Sequence, residues 1–274
     1  MHNLDVDQVT CFVSQLDELV NDNATNFFCC ADGSKVRVPS EDCKTLEEAV
    51  EKVEWDDLLT TIVLGKGEHK IDDEYLEIAS AMNIVGDPGV PKEEIVVLGG
   101  IDFNRGIQGN CHLQHLTLRQ AESCGVYGHS SFTMDDVLVE QCGWSGVCAV
   151  GTGVVGRCTN VEVRQCEKSG VTAMSDASIT LIGTKTTVHH NCTRGVNRHY
   201  GLLVYGVSST IQLVSPLTKE QVSLDNGGGG NWGVQYGGDI NQIKTVSRCG
   251  VRIFIVVVDG GGDGGFSFPL MSTF

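Results

Sequence analysis

Three stretches of this chain repeat one another, and the repeat restricts the fold more than any other feature. Residues 116–131 read LTLRQAESCGVYGHSS, residues 137–152 read VLVEQCGWSGVCAVGT, and residues 161–176 read VEVRQCEKSGVTAMSD. Aligned, they stack Leu116, Val137 and Val161, then Leu118, Val139 and Val163. This period-2 apolar alternation marks a short strand with one buried face. A charged column follows, Arg119, Glu140 and Arg164, and then Gln120, Gln141 and Gln165. The next column is Ala121, Cys142 and Cys166, and a second strand opens at Val126, Val147 and Val171. A looser fourth copy, VHHNCTRGVNRHYGLLVYG at 188–206, is read with His190, Asn191 and Cys192 in the charged, amide and thiol columns.

Short strands recurring at this period, with no helix-length amphipathic segment between them, specify a solenoid of coiled strands. The expected class is all-β, a right-handed parallel β-helix with an N-terminal helical cap. Identical columns then lie about 4.8 Å apart along the axis. Gln120, Gln141, Gln165 and Asn191 are expected to form an interior amide ladder, each side chain bonding to the next rung. The alternating signs of Arg119, Glu140 and Arg164 make neighbouring rungs attract. Cys142, Cys166 and Cys192 are expected to be reduced core thiols, because stacked side-by-side Cβ vectors disfavour a disulfide.

The chain divides into a helical extension at 1–43, the β-helix at 44–245, and a strand with a glycine-rich tail at 246–274. Val6, Val9, Val13, Leu16 and Val20 keep a helical spacing, and this helix is a candidate contact for homo-oligomers. Thr45 and Glu48 form a capping-box pattern, with Leu46, Ala49, Val50 and Val53 on one apolar face. VRIFIVVV at 251–258 is a strand candidate and too short to span a bilayer.

Charge narrows the partners. The net charge of −16 argues against nucleic acid and against an anionic membrane surface. The acidic start MHNLDVDQVT lacks the apolar core of a secretory signal, so an intracellular or virion-internal protein is the simple reading. Cys29, Cys30 and Cys43 have no fourth ligand at zinc-like spacing, and neither a metal nor a cofactor is expected.

TLEEAVEKVEWDDLLTTIVLGKGEHKI, then MNIVGD, then stacked rungs, resembles the opening of right-handed parallel β-helix proteins of the pectin-lyase-like superfamily. The rungs are similar to repeats of F-box β-helix proteins and of algal, oomycete and large-virus β-helix proteins. The resemblance covers about residues 45–245. It implies either a polysaccharide lyase, hydrolase or C5-epimerase acting on uronate-containing glycans, or a non-catalytic scaffold that binds glycan or protein. The hydrolase pattern of N-T-D, D-D and R-I-K is met only by Asp135–Asp136. The epimerase pattern is met only by the Tyr-Gly of Tyr200–Gly201. A non-catalytic binding module is therefore the first expectation.

Candidate catalytic residues are Asp135, Asp136, His112 and His115, on neighbouring rungs, where carboxylates beside imidazoles suit acid–base work. Candidate binding residues are His190, His199 and Tyr200, which flank the longest loop between rungs, and Trp144, whose ring can stack on a sugar.

Overall fold

The computed structural model describes residues 35–247. The expected helix around Val6–Val20, the Cys29–Cys30 pair and the strand expected at 251–258 lie outside those residues. The described residues start with β1 (Lys35–Val38), pass α1 (Leu46–Trp55), and make a first turn with β2 (Thr61–Leu64) and β3 (Gly67–Ile78). β4 (Asn83–Gly86) and β5 (Ile95–Phe103) make the next. Then each turn has three short strands. They are β6 (Cys111–Gln114), β7 (Thr117–Arg119) and β8 (Val126–Gly128), then β9 (Phe132–Asp135), β10 (Leu138–Glu140) and β11 (Val147–Val150). β12 (Val155–Thr159), β13 (Glu162–Arg164) and β14 (Val171–Met174) follow, then β15 (Ser178–Ile182), β16 (Thr187–His189) and β17 (Leu202–Tyr205). The last described turn holds β18 (Thr210–Val214), the single-turn α2 (Lys219–Val222), β19 (Ser223–Leu224) and β20 (Trp232–Gln235), and β21 (Ile243–Val246) is the last described strand of the first sheet.

Every pairing is parallel and joins a strand to its counterpart one turn away. The result is a β-solenoid of about six turns. β1 already pairs with β2, so the first sheet begins ahead of residue 44, within the stretch expected to be helical. The register bears out the strand columns, with Leu118, Val139, Val163 and Val188 stacked inward and at most 1% exposed. The Phe103 and Phe132 rings stack in the core at 5.6 Å. α1 has the expected capping box and buries Leu46, Ala49, Val50 and Val53 against β1, β2 and β3.

The strands are short because the chain bends at fixed left-handed residues. One bend is set by His115, Asp136 and Asn160, at φ of 52–53°. The other is set by Gln120, Gln141, Gln165 and His190, at 55–58°. Left-handed backbone costs an L-residue roughly 1–2 kcal/mol. Each bend offsets this with a backbone hydrogen bond to the next turn, for example Gln120 N to the Glu140 carbonyl at 3.2 Å and Asp136 N to the Thr159 carbonyl at 3.0 Å.

This geometry corrects two expectations. The glutamine ladder exists, with Gln120 Nε2 donating to Gln141 Oε1 and Gln141 Nε2 to Gln165 Oε1, both at 3.4 Å. It is exposed, not interior, because the left-handed bend turns these side chains outward. The fourth copy is also shifted by one residue. His189, not His190, pairs with Arg164; His190 takes the glutamine position, and Asn191 falls in the thiol column. There Asn191 is 1% exposed, accepts from Cys166 N at 3.0 Å and donates to the Val163 carbonyl at 3.0 Å. Asn226 continues this bracket one turn on, accepting from Asn191 N at 2.9 Å. Cys192 is buried one position past the column, while Cys142 and Cys166 occupy it.

The charged column is as expected and larger. Glu140, 5% exposed, takes Arg119 Nε on one oxygen at 2.6 Å and Arg164 Nε on the other at 2.8 Å. Arg164 also holds Glu162 at 2.9 Å, and Glu162 meets His189 at 3.1 Å. The eight described cysteines are all free and buried. Burial pushes the Cys111 thiol up to about 11 and Cys192 up to about 12, so both stay protonated near neutrality.

Candidate functional site

On the outward face of the first sheet, alternation and register line up Asn83, His112, Thr133, Arg157, Thr180 and Gln212 over consecutive turns. All six can hydrogen-bond and the column contains no acid; Asn83, His112 and Thr133 also bond within the chain, and Thr180 is buried. The neighbouring outward column includes Gln114, Asp135 and Thr159, as the sequence alignment placed them.

The four candidate catalytic residues fall into two pairs. Asp136 and His115 occupy the left-handed bend on adjacent turns. His115 Nδ1 meets Asp136 Oδ2 at 2.7 Å, and Lys92 Nζ meets Asp136 Oδ1 at 2.7 Å. The second imidazole nitrogen meets the Val90 carbonyl at 2.9 Å. Burial raises the Asp136 carboxyl, but the hydrogen bonds and charges of Lys92 and His115 outweigh it and hold the carboxyl below its ordinary value. Asp135 and His112 make the second pair. Burial lifts the Asp135 carboxyl, against the lowering influence of His112, and the Asp136 charge lifts it further. Burial lowers His112, whose Nδ1 lies 2.7 Å from Thr133 Oγ1. Lys92 enters from a single 3-10 turn at Lys92–Glu94, and nothing in the local sequence marked it as a partner of Asp136.

The candidate binding residues are not one cluster. His190 is exposed at the second bend, with its Nδ1 2.7 Å from that of His189. Tyr200 packs its ring so closely on Gly229 and Gly233 that a Cβ at either would come within 2.4 Å of it. That tyrosine anchors the glycine-rich loop. Trp144 is 52% exposed and carries Lys168 Nζ 3.5 Å from its ring centroid. His199 is half-buried, and its Nδ1 is buried without a hydrogen-bond partner. Burial, then the charges of Lys168, Arg198 and Arg194, push His199 below the ordinary histidine value.

A further polar group on the third strand face went unseen in the sequence. Asp102 pairs in register with Tyr127, whose ring stacks on Tyr75 at 6.0 Å and meets His129 edge-on at 4.5 Å. Asp102 Oδ1 and His129 Nδ1 are both buried and unpartnered, and burial raises the Asp102 carboxyl. The signal was weak because β5 precedes the clear repeats and lacks their glutamine marker.

Among the described residues no three His, Cys, Asp or Glu side chains are grouped to hold a metal ion. Nor is any helix there long and apolar enough to cross a membrane. The chain matches no family model, no curated protein and no solved structure.

Proposed function

We propose that the chain is a non-catalytic binding scaffold of pectin-lyase-like kind, which presents its first sheet to an extended glycan. One observation carries this reading: the strongest candidate acid–base group is already committed. Both Asp136 oxygens and both His115 nitrogens are spent on Lys92, on each other and on Val90. A proton-transfer pair needs a free atom within reach of substrate. The outward column of amide, hydroxyl, imidazole and guanidinium groups, repeating every strand spacing of about 4.8 Å, instead suits hydroxyl-rich ligands that run along the coil. Glycan-array binding followed by titration of Arg157→Gln and Gln212→Ala tests this. Affinity should fall about tenfold with either change, and binding unaffected by both would remove the sheet from consideration.

A polysaccharide-active enzyme is the second reading, and Asp135 with His112 favours it. Burial raises the Asp135 carboxyl and lowers the His112 imidazole, which favours a protonated acid beside a neutral imidazole. Cleavage of uronate-containing polysaccharides that is abolished by Asp135→Asn would establish it. Absence of any turnover across such polysaccharides would leave the binding reading.

A further inference from the structure

In a chain with a net charge of −16, one corner of the coil gathers positive charge. Trp144 and Lys168 stand on adjacent turns, joined by Lys168 N donating to the Trp144 carbonyl at 3.0 Å. The loop after β16 folds over the same corner. Cys192 N donates to the Lys168 carbonyl at 2.8 Å, and Arg194 N to the Glu167 carbonyl at 3.2 Å. At the loop's far end Tyr200 N donates to Ser169 Oγ at 3.3 Å, and Gln235 Nε2 holds the Arg198 carbonyl. These backbone and side-chain bonds bring Lys168, Arg194, Arg198 and His199 to one corner, though the first and last are 31 positions apart in sequence.

The charges are incompletely neutralised. Arg194 pairs with Glu167. Among the described residues, no carboxylate pairs with Lys168 or Arg198. Burial and then the charge of Arg194, with Arg198 adding to it, push the Lys168 ammonium below its ordinary value, although the Glu167 charge opposes them. Crowded cations of this kind are stabilised by an anion, and arginine's planar fork fits a carboxylate or sulfate with two parallel hydrogen bonds. The indole beside them has one face under Lys168 and is still half-exposed.

We propose that this corner binds the anionic group of an acidic sugar, a uronate carboxylate or sulfate ester, on Lys168 and Arg198, with the sugar ring against Trp144. The proposal rests on the glycan-binding reading above and specifies the charge class of the ligand. A sugar ring packs its C–H face on an aromatic, and the adjacent cations select acidic residues over neutral ones.

The test is titration calorimetry with a galacturonate tetramer, a chondroitin sulfate tetrasaccharide, neutral cellotetraose and inorganic sulfate. The parent is compared with Lys168→Met, Arg198→Gln and, as an unrelated surface charge, Lys185→Met. Thermal melts confirm that each variant folds like the parent. At least one acidic oligosaccharide should bind, tenfold or more weaker in Lys168→Met and in Arg198→Gln and unchanged in Lys185→Met, and weaker with added salt. Equal affinity for cellotetraose would overturn the proposal, as would sulfate binding as tightly as the oligosaccharides. Glycan binding that ignores Lys168 and Arg198 would overturn this corner and leave the scaffold reading standing. Failure of every glycan to bind would sink both.

Discussion

Glu140 is the most consequential charge in the coil, and Glu140→Gln measures its worth. The carboxylate is 5% exposed and lies between two arginines on the turns before and after it, at 2.6 and 2.8 Å. Glutamine keeps the shape and one accepting oxygen. Its amide nitrogen, however, faces an arginine N–H, so one charge-assisted hydrogen bond is replaced by donor against donor. Such a bond contributes about 1.5–3 kcal/mol. The arginines are 29% and 35% exposed, so water takes up part of the loss, and Arg164 keeps Glu162. We expect a cost of about 2 kcal/mol, below the 3–5 kcal/mol typical of a fully buried pair that loses one partner. Urea denaturation of variant and parent reads this directly. A double-mutant cycle with Arg119→Met should return a coupling above about 1 kcal/mol. A cost under about 0.5 kcal/mol, the range of ordinary surface changes, would refute the claim that the ion column ties the turns together.

Gln141→Leu, although it removes the centre of the glutamine ladder, should change stability by less than about 0.5 kcal/mol in the same melts, because that ladder is exposed and its bonds are long. Asn191→Leu should cost about 3–5 kcal/mol, since it strands Cys166 N and the Val163 carbonyl in the core, each at about 1–3 kcal/mol. Glu140 and Asp136 both have folded pKa values below their unfolded ones, although burial alone would raise them. Their stabilisation is therefore present above the unfolded values of about 4.3 and 3.9 and is lost as pH falls through the folded ones; melts in acid should show this loss, and Glu140→Gln should flatten it. A thiol reagent should label the eight described cysteines slowly in native protein and fast in denaturant, and rapid native labelling would contradict their burial.

The coil was legible in the sequence because the inward valines and leucines and the Arg–Glu–Arg column recur at nearly constant spacing. What went wrong turns on the bends. Glutamine at 120, 141 and 165 reads as an amide ladder, and amide ladders are usually inferred to be buried. The left-handed φ that turns these side chains outward leaves no mark on glutamine as it would on glycine. In the fourth copy His190 takes that φ, and Asn191, chemically close to glutamine, drew the alignment one residue too far. Lys92 and Lys168 were missed for another reason: their partners, Asp136 and Trp144, become neighbours only when the coil closes.

Backbone pairing in this coil does not register how many turns it has, since each strand meets the same kind of neighbour above and below. The charged column does. Removing the single turn that carries Glu140 would seat Arg119 against Arg164, and copying any one of the three turns would set two like charges side by side, whereas copying an adjacent pair of turns preserves the alternation. Over this stretch the molecule therefore has a parity: its hydrogen bonds repeat with every turn and its charges with every second one. Lengthening this stretch by a copy of one turn meets like-charge repulsion that a copied pair of turns avoids.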